Sequence, residues 1–263
     1  MSKIQSSIQR AIEKSRGSTR REESTPSRIF RNFQLAHPRE NTMANSRIIS
    51  AIDDRLAKSA YDVLRTRVLH RLRSNSWSSL LITSPGPGEG KTLTSSNLAI
   101  SISRDVNQSI LLVDLDLRRS SVAKCLGIQH DIKAGVGDFL QGNAKIEDII
   151  YSPDEIARLA VLPNREPIDN ASDLLGSPRM KKLVSWLREQ SGHSIVIFDM
   201  PPVLACDDVL AFSPDVDAIL LVAAQGMTER GSLEKAAELL VDCNLLGIVL
   251  NKATELMGHD YYG

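Results

Sequence analysis

Six short apolar segments determine which fold this chain can adopt. Each is five to eight residues long, and they lie at residues 79–83, 109–116, 159–163, 194–199, 218–224 and 245–251. Segments with helical spacing separate them. Because the apolar residues are continuous rather than alternating, these segments are typical of strands covered on both faces. The sequence therefore predicts an α/β fold, with a mostly parallel sheet and helices on both faces.

The size of the chain favours one domain. With 263 residues, of which 42% are hydrophobic, it can bury a single sizeable core. The apolar segments are too short to cross a bilayer, and the first ten residues are polar where a signal peptide needs an apolar stretch. We therefore expect a cytoplasmic protein.

The three cysteines do not form a recognisable metal or disulfide pattern. Cys125, Cys206 and Cys243 are widely separated and lack paired spacing. We expect them to be reduced thiols of the interior, where free cysteine usually lies.

Charge is distributed unevenly, although the net charge is zero. Residues 1–73 hold 16 Lys and Arg against 7 Asp and Glu, so residues 74–263 hold the remaining 16 against 25. A basic N-terminal part precedes an acidic body. It can contact an anionic membrane surface, an acidic partner or the body itself. Nucleic acid is less favoured, because the arm has neither the lysine density nor the interleaved aromatic residues that base stacking needs.

Composition also indicates the domain boundaries. Residues 1–45 are rich in Ser, Arg, Glu and Asn, so we expect a disordered basic arm with at most a transient first helix. Residues 46–255 are assigned to the folded domain and residues 256–263 to a flexible tail. From residue 49 a helix of about six turns is predicted to pack on the body, with apolar positions at Ile52, Leu56, Tyr61, Leu64, Val68 and Leu72.

A glycine-rich loop follows the first apolar segment. Residues 84–92 read SPGPGEGKT, and a segment with helical spacing comes next. Glycines let consecutive backbone amides turn inward around phosphate oxygens. Lys91 would lie beside the outer phosphates and the Thr92 hydroxyl would bind Mg²⁺. The alternative is a glycine-rich turn with a chance Gly-Lys-Thr. We predict a P-loop NTPase-like domain whose nucleotide loop consists of Ser84, Pro87, Gly88, Glu89, Gly90, Lys91 and Thr92.

Three acidic residues end two of the apolar segments. Asp114 and Asp116 close residues 109–116, and if the strand is extended to its end both face the loop. One carboxylate could help to hold Mg²⁺ and the other could accept a hydroxyl proton. Asp199 ends residues 194–199 and could bind Mg²⁺ through water, while the two prolines that follow end the strand. Arg118 and Arg119 could neutralise phosphate or pair with acids.

These elements together resemble the bacterial tyrosine kinases of exopolysaccharide and capsule synthesis. That family shares the P-loop class of the septum-site and plasmid-partition ATPases. Its loop reads S-x-x-P-G-x-G-K-[ST], so Pro85 is not a defect here. Its second and third motifs, D-x-D-x-R and D-x-x-P, match residues 114–118 and 199–202, and the resemblance runs from about residue 48 to 253. In length and N-terminal style the chain is similar to exosortase-linked autokinases.

The resemblance implies roles for individual residues. Lys91 and the loop would hold ATP, with Asn251 near the adenine. Asp114 would be the base toward the tyrosine hydroxyl, and Asp116 and Asp199 would organise Mg²⁺ with Thr92. The partition relatives carry a second loop lysine where this chain has Gly86, which argues against a partition-type sandwich dimer.

Two segments depart from the family pattern. The E-x-x-R-x-x-R helix used in ring assembly aligns with Ser59, Asp62 and Arg65, of which only Arg65 matches. The family's tyrosine-rich tail, phosphorylated between neighbouring subunits, is reduced here to Tyr261 and Tyr262. An incidental C-terminus is the alternative interpretation of these two residues.

The resemblance implies an ATP- and Mg²⁺-dependent protein-tyrosine autokinase that regulates exopolysaccharide polymerisation or export. The alternative is a nucleotide-dependent assembly switch of the septum-site and partition class, with little or no kinase activity, that controls a membrane polysaccharide co-polymerase. Either function implies a homo-oligomer, a separate membrane partner with a cytoplasmic segment, and a peripheral position at the inner membrane.

Overall fold

The sheet contains eight strands within residues 33–190 and 194–254, which are the residues that this computed structural model describes. Their order is β1-β4-β5-β3-β6-β2-β7-β8, and every neighbouring pair is parallel except β4 with β5. The predicted mostly parallel sheet is therefore confirmed. The strands are β1 (Gln34–Ala36), β2 (Ser79–Thr83), β3 (Ser109–Asp114), β4 (Tyr151–Pro153), β5 (Leu159–Leu162), β6 (Ser194–Asp199), β7 (Ala218–Ala224) and β8 (Leu245–Asn251).

Helices cover both faces of this sheet. They are α1 (Glu40–Asn45), α2 (Arg55–Ser74), α3 (Lys91–Ser103), α4 (Val122–Cys125), α5 (Val136–Gln141), α6 (Ala171–Leu175), α7 (Pro178–Gln190), α8 (Asp208–Phe212) and α9 (Arg230–Leu239). Short 3₁₀ helices lie at Gln129–Asp131, Ile146–Ile149 and Ser213–Asp215. None of the described helices combines the length and apolar character needed to cross a membrane.

Strand alternation divides the core into two layers. Leu81 points to one face of the sheet, where its cluster includes Leu183 of α7 and Ala236 of α9. Its neighbour Leu80 points to the other face, where its cluster includes Leu98 of α3 and Val68 of α2. Both layers exclude water, which is why the central strands are apolar at every position.

The structure differs from the sequence prediction at the end of β3 and at the end of the N-terminal arm. Strand β3 stops at Asp114, so Asp116 lies in the loop beyond it rather than in an extended strand. The predicted disordered arm is also too long, because β1 and α1 lie within residues 33–45. Three-residue strands carry no periodicity that could reveal them. Residues 1–32 lie outside the described residues.

Helix α2 confirms the predicted helix with a later start. Asp54 caps it by accepting a hydrogen bond from Ala57 N at 2.9 Å. Val68 and Leu72 are buried, but Leu56 is 62% exposed and does not belong to the packed face. The Arg65 guanidinium donates to Ser101 O of α3 at 2.9 Å, so the one residue that matches the family's ring-assembly pattern contacts its own body.

The cysteines lie at the edge of the core rather than deep within it. All three are free and half-buried. Burial raises the pKa of the Cys125 thiol to about 11, which keeps it protonated at neutral pH.

Asp217 joins the beginnings of two central strands. Its carboxylate accepts hydrogen bonds from Ser78 N at 2.8 Å and from Ser79 N and Oγ at 2.9 Å. Partial burial alone would raise the pKa of Asp217, but these donors lower it below the usual value. The ionised form is therefore the form that stabilises the fold.

Replacing Asp217 with Asn should lower the free energy of unfolding by about 1–2 kcal/mol at pH 7, because charge-assisted hydrogen bonds are lost. Since the folded pKa is lowered, this stabilisation is present above the unfolded pKa and is lost as the pH falls. The difference between wild type and Asp217→Asn, measured by urea unfolding, should therefore shrink below about pH 4. Asp242→Asn, at an exposed position, is the control; equal stability losses in both variants would contradict the assignment.

Candidate active site

The predicted site residues meet at the carboxyl ends of three adjacent strands. Because β3, β6 and β2 are neighbours in the sheet, Asp114, Asp199 and the glycine-rich loop come to one edge. This is where ligands bind in open α/β sheets. Lys91 and Thr92 begin α3, so the N-terminus of that helix points into the same region.

Internal hydrogen bonds hold the loop in shape. Gly88 and Gly90 have φ of +75° and +97°, a region that side chains disfavour. Ser84 Oγ donates to Gly86 O at 2.7 Å, and Glu89 Oε2 accepts from Gly86 N at 2.8 Å. Ser84 and Glu89 therefore shape the loop from beneath, and Pro87 lies on the cavity side.

The ends of β7 and β8 hold the same loop from outside. Thr228 Oγ1 donates to Glu89 Oε1 at 2.5 Å, and Asn251 Nδ2 donates to Glu89 O at 2.9 Å. A Cβ at Gly90 would collide with the Asn251 amide, so glycine is required there. Lys252 Nζ donates to Gly88 O at 2.8 Å. Asn251, predicted near the adenine, lies against the loop backbone.

Lys91 and Asp116 form the ion pair at the centre of the site. Lys91 Nζ lies 2.5 Å from Asp116 Oδ2, and both side chains are almost completely buried. Burial alone would lower the pKa of Lys91, but Asp199 and Asp116 together raise it above its ordinary value. Lys91 is therefore a fixed positive charge beside the loop.

Asp199 lies among hydroxyl groups. Its Oδ2 accepts from Thr92 Oγ1 at 2.6 Å and its Oδ1 from Ser95 Oγ at 3.0 Å. Ser121 Oγ lies 3.2 Å from Thr92 Oγ1. Burial raises the pKa of Asp199, while Lys91 and Thr92 counteract this rise.

Asp114 lies beneath the other acids. It is completely buried, and its Oδ2 accepts from the backbone amides of Ser121 and Val122 at 3.1 and 3.0 Å. Burial, followed by the charge of Asp199, raises the pKa of Asp114 well above the ordinary value. Asp116, rather than Asp114, lines the cavity in front of the loop.

The oxygen groups suit Mg²⁺. Thr92, Asp116 and Asp199 supply hydroxyl and carboxylate oxygens, the ligand type that hard divalent cations prefer. Within the described residues, no three His, Cys, Asp or Glu side chains converge on one point as a complete metal cage. Mg²⁺ bound with nucleotide phosphates does not need one, because water and phosphate fill most of its positions.

A cavity of about 570 Å³ opens in front of these groups. Its lining includes the loop and Asp116 together with the apolar residues Pro201, Pro202 and Ala205. Arg118 and Arg119 complete the rim. A volume of this size is typical of small-ligand sites.

Sequence reasoning missed several supporting residues. Ser95, one turn after Thr92, could have been found from helical spacing. Thr228, Ser121 and Asp208 follow from long-range packing and carry no local pattern. Tyr261 and Tyr262, the predicted acceptors, lie outside the described residues.

The fold and this constellation define a P-loop nucleotide-binding protein, and comparisons with known proteins agree. The family model for the AAA domain matches residues 82–235. The MinD septum-site protein of Pyrococcus horikoshii, solved with Mg-ADP, superposes with a TM-score of 0.57 at 21% identity, covering 67% of this chain and 72% of its own, which shows the shared fold alone.

More specific relatives are tyrosine kinases. The Bacillus subtilis tyrosine-protein kinase YwqD is 31% identical over 210 residues, which cover 79% of this chain and 86% of YwqD. The kinase domain of VpsO superposes with a TM-score of 0.66 at 29% identity over 77% of this chain and 98% of that domain. The chain therefore belongs to the bacterial tyrosine kinase family. The Salmonella typhimurium kinase Wzc matches 79% of this chain but only 29% of its own length.

Glu89 provides a direct test of loop preorganisation. Glu89→Ala removes the acceptor for Gly86 N and Thr228 Oγ1, and leaving these partly buried groups unpaired costs about 1–2 kcal/mol. Affinity for an ATP analogue, measured by calorimetry, should fall about tenfold. Glu147→Ala, at an exposed position, should bind like wild type. Unchanged affinity in Glu89→Ala would show that the loop does not depend on this contact.

Proposed function

We propose that the protein is an ATP- and Mg²⁺-dependent protein-tyrosine autokinase that regulates exopolysaccharide polymerisation or export. The observation that carries this proposal is the convergence of Lys91, Thr92 and three buried carboxylates in a member of the tyrosine kinase family. Phosphoryl transfer depends mainly on positioning and charge neutralisation, and these are the properties that the site offers.

The loop and the start of α3 would hold the nucleotide. Ser84, Pro87 and residues 88–92 form the cradle, and Asn251 supports it from the side of the adenine. When nucleotide binds, the Lys91 ammonium group would leave the Asp116 carboxylate and bind a phosphate oxygen instead. Bound Mg²⁺ would neutralise charge on the phosphates, with Thr92, Asp116 and Asp199 as its protein contacts.

Asp114 is the proposed base toward the tyrosine hydroxyl. Its raised pKa favours proton uptake. Asp116 is the alternative base, because it is the carboxylate that lines the cavity. Asp114→Asn and Asp116→Asn distinguish the two roles: loss of the base lowers kcat at saturating Mg²⁺, whereas loss of a metal contact raises the Mg²⁺ concentration needed.

The proposed acceptors are Tyr261 and Tyr262 of a neighbouring copy. They follow Asn251 by ten and eleven residues, a distance along the chain that can extend over about 30 Å. A separate membrane co-polymerase is the proposed partner, and a peripheral position at the inner membrane would follow from it.

An assembly switch with little kinase activity is the second candidate. Two observations favour it: Arg65 contacts Ser101 of its own body, and Ser59 stands where the ring-assembly pattern has glutamate. In this function, ATP binding would set contacts with the co-polymerase without phosphate transfer.

Mixing two complementary variants, one without the acceptor tyrosines and one without the loop lysine, tests the kinase proposal. A Tyr261→Phe, Tyr262→Phe donor and a Lys91→Ala acceptor, incubated with ATP, Mg²⁺ and the cytoplasmic segment of the partner, should together yield phosphotyrosine on the acceptor. Lys91→Ala alone should give at least 100-fold less than wild type, because it loses its phosphate contact. The assembly switch would be favoured by two results together. Neither the mixture nor wild type would yield phosphotyrosine, and polymer output would be lost in Lys91→Ala but kept in the Tyr261→Phe, Tyr262→Phe variant.

A further inference from the structure

Two adjacent arginines on the cavity rim have different surroundings. Arg118 is held on all three guanidinium nitrogens. Its Nε and Nη2 lie 3.1 and 3.3 Å from the two oxygens of Asp208, whose side chain is completely buried, and its Nη1 donates to Asp169 O at 2.9 Å. Ser172 Oγ accepts a hydrogen bond from Arg118 Nη2 and donates one to Asp208 Oδ1. Arg118 is therefore a structural clamp between the loop after β3 and helices α6 and α8.

Arg119 contrasts with Arg118 in that its guanidinium has no partner among the described residues. Its backbone amide donates to Asp116 Oδ1 at 3.0 Å, which fixes Arg119 next to the central carboxylate. Its exposed side chain lines the cavity, and its guanidinium forms no hydrogen bond or ion pair within the described part of the chain. It thus presents a positive charge at the entrance to the site.

The apolar part of the cavity lining suits an aromatic ring. Pro201, Pro202 and Ala205 line the same cavity as Asp116 and Arg119 and give it an apolar surface. A tyrosine ring packed there would bring its neighbours in sequence to the rim. In this chain the residue before Tyr261 is Asp260.

We propose that Arg119 recognises the carboxylate of Asp260 when the tail of a second copy enters the cavity, so that the preferred acceptor is a tyrosine preceded by an acidic residue. This inference rests on the proposed kinase function and specifies its substrate class. Arg118 also lies on the cavity rim, but its charge is already neutralised by Asp208. Arg119 is therefore the residue that would distinguish an acidic from a neutral residue before the tyrosine.

The transfer between two full-length copies tests this pairing. The donor is Tyr261→Phe, Tyr262→Phe, with or without Arg119→Ala; the acceptor is Lys91→Ala, with or without Asp260→Asn. With Arg119 present in the donor, kcat/KM should be about fivefold higher for the acceptor that keeps Asp260 than for the Asp260→Asn acceptor. A factor of this size is in the range of a partly exposed ion pair. With Arg119→Ala in the donor, the two acceptors should become equal. The charge exchange Arg119→Glu with Asp260→Lys should restore part of the rate that either change alone removes.

Two measurements separate tail recognition from phosphate binding. Arg119→Ala should raise the KM for the acceptor and leave the KM for ATP unchanged. Arg104→Ala, an exposed arginine at the far end of α3, is the control that should leave both unchanged. A raised KM for ATP with undiminished preference for Asp260 would make Arg119 a phosphate contact and overturn the proposal.

A binding measurement keeps the proposal testable if the protein transfers no phosphate. A labelled peptide of residues 255–263 is titrated with full-length Tyr261→Phe, Tyr262→Phe protein in the presence of Mg-ADP, and compared with the Asp260→Asn peptide by fluorescence anisotropy. Several-fold tighter binding of the acidic peptide, lost in Arg119→Ala, supports recognition even without catalysis. Equal binding of both peptides overturns it.

Discussion

The site depends on one lysine that neutralises part of a buried cluster of carboxylates. Asp114, Asp116 and Asp199 are nearly inaccessible to water, and Lys91 forms an ion pair with Asp116. Burying unpaired charge is costly, so the cluster is stable because Lys91 is paired with Asp116, Asp199 accepts hydroxyl hydrogen bonds, and Asp114 has a pKa raised toward the neutral form. Bound nucleotide with Mg²⁺ would add both the anion and the cation that this arrangement can accommodate.

The loop that would hold that nucleotide is supported from two directions. The buried Glu89 ties it to Thr228 after β7, and Asn251 and Lys252 at the end of β8 contact its backbone. The segment that leads to the terminal tyrosines therefore begins at the loop itself. Asn251 and Lys252 thus connect the loop directly to the end of the described chain.

Much of this could be predicted from the sequence because its patterns are local. Continuous apolar segments predicted six of the eight described strands, including the edge strand β8, and the Gly-Lys-Thr loop predicted the start of α3. Strands β1 and β4 were missed because three residues carry no period. The strand extension to Asp116 that the sequence analysis considered does not occur: β3 ends at Asp114, and the Asp116 amide donates to Asp114 Oδ1. The clamp of Arg118 by Asp208 joins residues 90 positions apart, a contact that packing creates and no spacing rule reveals.

The exchange of partners at Lys91 is the central claim, and a crystal structure of the protein with Mg²⁺ and a non-hydrolysable ATP analogue tests it most directly. We expect Lys91 Nζ to leave Asp116 and contact an outer phosphate oxygen, with Thr92 Oγ1 bound to the metal instead of donating to Asp199. A structure in which the Lys91–Asp116 pair stays closed while the nucleotide binds elsewhere would contradict this account.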